Sequence, residues 1–73
     1  MGTKKIGAFL KALRKERGLT QEQLAETLCV SGRTISRWET GTNMPDLSIL
    51  IQIAEFYDVD MKEILDGERK GEN

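Results

Sequence analysis

Apolar residues recur along this chain at intervals of three and four, in short runs separated by glycine, proline, hydroxyl and acidic residues. That pattern predicts several short helices and no strands. Ile6, Phe9, Leu10 and Leu13 fall on one face of a first helix over residues 6–17, with Arg14 at the edge of the stripe. Gly18 ends it, and Lys15 and Arg17 lie in the last turn, where cations suit the helix dipole. Thr20 and Gln23 have capping-box spacing, and Leu24, Ala25 and Leu28 mark the inward side of a second helix. Cys29 and Val30 form a tight turn, at a position that favours glycine because a left-handed backbone costs other residues ~1 kcal/mol or more. A third helix has Ser31 as N-cap and stops at Gly41. After a loop, Asp46 caps a fourth helix from Leu47 to about Tyr57, with Leu47, Leu50, Ala54 and Tyr57 as its core stripe and Ile53 beside them. Asp60 caps a short fifth helix over residues 61–65.

The prediction is therefore an all-α, compact five-helix domain over residues 6–67. Residues 1–5 are read as a flexible N-terminus, and 68–73 as a polar tail or the start of a linker. Ile49 and Phe56 lie roughly opposite Leu47 on the fourth helix, which leaves an apolar strip for a partner.

The second and third helices, with their tight connection, make a helix-turn-helix, whose second helix can lie in the major groove of DNA. Turning about 100° per residue from Ile35 puts Trp38 and Glu39 within about 60° of it, on the inward side. Arg33 and Arg37 then fall close to the opposite side, one turn apart, with Ser36 and Thr40 beside them. Arginine donates bidentately to guanine in the major groove, and serine or threonine serves bases or phosphates. Two arginines on a surface helix more often only solvate it; here the preceding helix and turn reverse that preference. Gln21, in the first turn of the second helix, is a candidate phosphate donor, as are Thr42 and Asn43 in the loop after the third. Arg14 and the inward Glu39 suggest a partly buried ion pair tying the first helix to the third.

Length, composition and charge each change this picture. Seventy-three residues make one small domain, too small for most enzyme pockets. With no histidine and a single cysteine, Cys29, neither an intramolecular disulfide nor a zinc site from Cys and His can form. No pair of carboxylates is placed for catalysis, so no enzyme activity, metal, cofactor or small-molecule ligand is expected. The net charge of −1 argues against DNA only as an average. Residues 1–37 hold eight Lys or Arg against three Glu, a net of +5, and residues 38–73 hold three against nine Asp or Glu, a net of −6. A polarised molecule offers phosphates a local basic patch. No apolar run approaches the ~18 residues of a membrane span, and no signal peptide is read at the N-terminus, so the cytoplasm, with association to the nucleoid, is the expected location.

Taken together and in order, Arg14-x-x-Arg17-Gly18-Leu19-Thr20-Gln21-x-x-Leu24-Ala25, Val30-Ser31-x-x-Thr34-Ile35-Ser36-x-Trp38-Glu39-x-Gly41, Pro45-Asp46, Leu50 and Val59 resemble the Cro and phage-repressor type of helix-turn-helix domain, the xenobiotic-response-element family. The resemblance covers about residues 6–67. It implies a lambda-repressor-like fold and base contacts from Gly32, Arg33 and Arg37, to which Ser36, beside the arginines on the outward face, is added. It also implies phosphate contacts from Gln21 and from residues near Thr40, Thr42 and Asn43, to which Ser31 and Thr34 at the start of the third helix are added. It implies the Arg14–Glu39 pair and a homodimer on an inverted repeat of double-stranded DNA. Gly32 departs from the pattern by offering no side chain at a base-contacting position. The expected function is sequence-specific DNA binding by a transcriptional regulator, as a repressor. The alternative is a protein-interaction module on the same fold, using the apolar face of the fourth helix.

Overall fold

The computed structural model describes residues 2–69. Within them run five helices: α1 (Thr3–Glu16), α2 (Gln21–Leu28), α3 (Gly32–Thr40), α4 (Leu47–Tyr57) and α5 (Met61–Asp66). No strand occurs among the described residues, and no helix there is long and apolar enough to cross a membrane. α1 lies across α3 and reaches α5, α2 packs on α3 and α4, and α5 closes against α4. Four isoleucines, Ile6, Ile35, Ile53 and Ile64, come one each from α1, α3, α4 and α5 and are fully buried at the centre. Leu10, Leu13, Leu24, Leu28 and Trp38 surround them. Each such side chain contributes about 1.5–3 kcal/mol by leaving water.

The start of α1 differs from the sequence reading. The helix begins at Thr3, so Thr3, Lys4 and Lys5, expected to be flexible, form its first turn. Gly2 occupies the N-cap without a side-chain bond, and the sequence therefore carries no start signal there. Tertiary contact fixes this turn instead. A Cβ on Gly41 would stand 2.8 Å from Lys4 Cα, and one on Gly67 would stand 3.0 Å from the Lys5 carbonyl oxygen. Both glycines also hold a left-handed backbone, at φ 82° and 70°. Glycine matters equally inside α1. A Cβ on Gly7 would run into the carbonyl oxygens of Trp38 and Glu39. The helices thus cross backbone to backbone, which sets the position of α3.

α4 also departs from expectation. Leu50, Ile53, Ala54 and Tyr57 are buried as predicted, but Leu47, read as core, is 65% exposed. Ile49 and Phe56, read as a free partner face, are half-buried against the core. Phe56 stands edge-on to Tyr57 at 5.0 Å, and the Arg17 guanidinium sits 5.5 Å from its ring centre. The exposed apolar residues of α4 are instead Leu47 and Ile51, one turn apart. Periodicity ranks the faces of a helix; it does not say which flank the neighbouring helices will cover.

At the other end, the Glu68 amide donates to the Glu63 carbonyl, and Arg69 pairs with Glu16 at 2.6 Å. The first two residues of the predicted polar tail are therefore tied back to the domain, and residues 70–73 lie outside the described ones.

Candidate nucleic-acid interface

α2 and α3 are set by local chemistry. The Thr20 amide donates to Gln23 Oε1 at 2.8 Å and the Gln23 amide returns to Thr20 Oγ1 at 3.1 Å, completing the predicted capping box. At the far end Cys29 takes the left-handed conformation, φ 60° and ψ 42°, as the turn requires. The chain re-enters a helix at Ser31, whose Oγ accepts from the Thr34 amide at 3.2 Å. Gly41 then stops α3 in the left-handed region.

This frame divides α3 as the sequence predicts. Ile35, Trp38 and Glu39 are buried, and Arg33 and Arg37 are exposed on the opposite side. Neither guanidinium makes an ion pair or hydrogen bond among the described residues. Both guanidinium groups thus stand in solvent on one helix face, one turn apart. Gly32, Thr34 and Ser36 are half-buried along its edges.

Four of the six expected phosphate-contacting side chains are engaged with one another, Ser31 with Thr34 and Thr40 with Thr42. Ser31 Oγ lies 2.9 Å from Thr34 Oγ1. The Thr40 hydroxyl donates to the Arg37 carbonyl at 3.1 Å, so the 2.9 Å contact between Thr40 and Thr42 draws its proton from Thr42. Asn43 is exposed. Gln21 does not point to solvent alone: its Nε2 donates to Glu39 Oε1 at 3.1 Å.

Behind the face lies the predicted ion pair. Arg14 donates Nε to Glu39 Oε2 at 2.7 Å and Nη2 to Oε1 at 3.0 Å, and its Nη1 donates to the Leu19 carbonyl at 2.8 Å. One guanidinium therefore joins the end of α1, the loop before α2 and the inward side of α3, and Gln21 adds the first turn of α2. The hydrogen bond to Glu39 raises the Arg14 pKa further above its ordinary value, against the opposing effect of burial. Close by, the Tyr57 hydroxyl is buried without a hydrogen-bond partner among the described residues. Burial first, and the Glu39 carboxylate second, push its pKa up to about 12, while Arg14 and Arg17 pull the other way.

One neighbour of the face escaped the sequence reading. The Glu22 carboxylate rests on the start of α3, with Oε2 2.7 Å from where a Gly32 Cβ would stand. No periodicity links residues in two different helices, so only the glycine at position 32 hinted at a close approach.

Comparison with known proteins agrees with this geometry. A helix-turn-helix family profile matches residues 10–64. The chain is 48% identical over 59 residues to the HTH-type transcriptional activator BcrR of Enterococcus faecalis, covering 81% of this chain and 29% of that protein. It is 36% identical over 56 residues to the cryptic phage CTXphi transcriptional repressor RstR of Vibrio cholerae, covering 77% of this chain and 50% of that one. It spans no more than half the length of either. The crystal structure of the restriction-modification controller protein C.AhdI of Aeromonas hydrophila superposes with a TM-score of 0.76 at 27% identity, over 85% of this chain and 94% of that one. Its five helices, the α2–α3 pair and these likenesses together show that the chain belongs to the Cro and phage-repressor type of helix-turn-helix family.

Proposed function

We propose that this domain binds double-stranded DNA in a sequence-specific manner, with α3 in the major groove, and regulates transcription as a repressor. The observation that carries the reading is the pair of exposed arginines, Arg33 and Arg37, on the outward face of a helix whose opposite side is buried. Arg33, Ser36 and Arg37 serve as base readers. Ser31, Thr34, Thr40, Thr42 and Asn43 hold the backbone phosphates, some after turning a hydroxyl away from its present partner. Gln21 reaches a phosphate only by sharing or leaving Glu39, which couples that contact to the Arg14 ion pair. Repression fits because a domain that occupies an operator can exclude polymerase from it. The protein acts in the cytoplasm, on the nucleoid.

A twofold pair of domains would set two copies of α3 about 34 Å apart, on half-sites one turn of DNA apart. The exposed Leu47 and Ile51 of α4, rather than Ile49 and Phe56, are the apolar side chains such a contact would bury.

Selection of bound duplexes from a random pool, followed by salt titration on the enriched sequence, tests the reading. One enriched motif is expected, with the logarithm of affinity falling linearly against the logarithm of salt. Recovery of no motif, or binding indifferent to salt, would refute it.

A further inference from the structure

Gly32 removes a side chain from the N-terminal end of α3, and α2 supplies another in its place. A Cβ on Gly32 would stand 2.7 Å from Glu22 Oε2 and 3.4 Å from Oε1. A side chain at position 32 and this placement of Glu22 therefore exclude each other. Gly32, Ser36 and Glu39 follow one another at i, i+4 and i+7, a single stripe along α3. The first two residues of α2 address both ends of that stripe: Gln21 bonds to Glu39, and Glu22 lies against Gly32. Glu22 is exposed and makes no ion pair or hydrogen bond among the described residues.

A carboxylate offers only acceptors. In the major groove its complement is the N4 amino group of cytosine; adenine sets the N7 acceptor beside its N6 donor, and guanine O6 and N7 and thymine O4 are themselves acceptors that repel it. We infer that Glu22 is a specificity-determining residue, taking a hydrogen bond from a cytosine at the edge of the half-site where residue 32 would otherwise reach. This rests on the major-groove reading above and names the group that reads one further base pair.

The test compares sequences enriched from a random duplex pool by the unaltered domain and by the Glu22→Ala, Glu22→Gln and Gly32→Ala variants, each first checked for helical content by circular dichroism. The unaltered domain is expected to require cytosine at one position. Glu22→Ala should lose that preference by about tenfold or more and keep the others. Gly32→Ala should do the same, because its methyl group displaces the carboxylate. Glu22→Gln should shift the position toward adenine, which glutamine pairs bidentately. The same motif for all four proteins, with affinities moving equally on every sequence, would overturn the inference and leave DNA binding intact. Failure of the unaltered domain to enrich any sequence would remove the DNA-binding reading itself, and this inference with it.

Discussion

Arg14 and Glu39, 25 residues apart in sequence, meet through two hydrogen bonds with their side chains 10% and 3% exposed. Such a pair is a poor source of net stability, because desolvation offsets the attraction, but stranding one member is expensive. Arg14→Ala leaves the Glu39 carboxylate buried with only Gln21 and should cost about 3–5 kcal/mol in urea denaturation. Arg14→Met with Glu39→Leu should recover most of that loss. A single substitution costing under about 1 kcal/mol would show that the pair behaves as a surface salt bridge.

The Tyr57 phenol predicts an alkaline limit to stability. Its pKa is pushed up to about 12 in the fold, against about 10 in an unfolded chain. The neutral form is favoured in the folded state, so the contribution is fully present below pH 10 and is lost as pH rises from 10 to 12. On the order of 3 kcal/mol should disappear across that window. Tyr57→Phe removes both the titration and the orphan hydroxyl. It should raise the melting temperature at neutral pH by about 4–8 °C, the shift that ~1 kcal/mol gives in a domain of this size. A drop in melting temperature would mean that the hydroxyl has a partner in solution.

Arg37 should carry sequence discrimination more than general affinity. Arg37→Ala is expected to relax the preference at one base pair and cost about 1–3 kcal/mol on the enriched duplex, with a far smaller loss on a scrambled one. Equal losses on both, read by fluorescence anisotropy at fixed salt, would make Arg37 a phosphate contact only.

The apolar pair on α4 gives the oligomer prediction. Leu47→Glu with Ile51→Glu should shift sedimentation on DNA from a dimer to a monomer and leave the fold intact, since both residues are exposed. A dimer that survives both substitutions would place its contact elsewhere.

The helix pair was legible because its signals are local. Thr20 with Gln23, Ser31 before an amphipathic turn, and Gly41 after it are short-range patterns with short-range causes. The left-handed Cys29 was legible as a position wanting glycine. The Arg14–Glu39 pair was found across 25 residues because each lay on the inward edge of its own helix. What stayed hidden depends on neighbours: Gly7 allowing α1 to touch α3 through backbone, Lys4 and Lys5 held by glycines of distant turns, and Arg17 covering Phe56 while Leu47 stays in water. Within the site, the outward arginines followed from periodicity, whereas the engagement of Gln21 with Glu39 and of Glu22 with Gly32 required the angle between two helices.

The most direct test of the account is the footprint of DNA on the backbone amides. Isotope-labelled protein titrated with the enriched duplex should show its largest amide shifts at residues 31–37, at 21 and 22, and at 42 and 43, with the outer side of α4 changing only where a second copy docks. Shifts concentrated on α4 and α5, with Arg33 and Arg37 unmoved, would contradict the claim that the outward face of α3 meets the duplex.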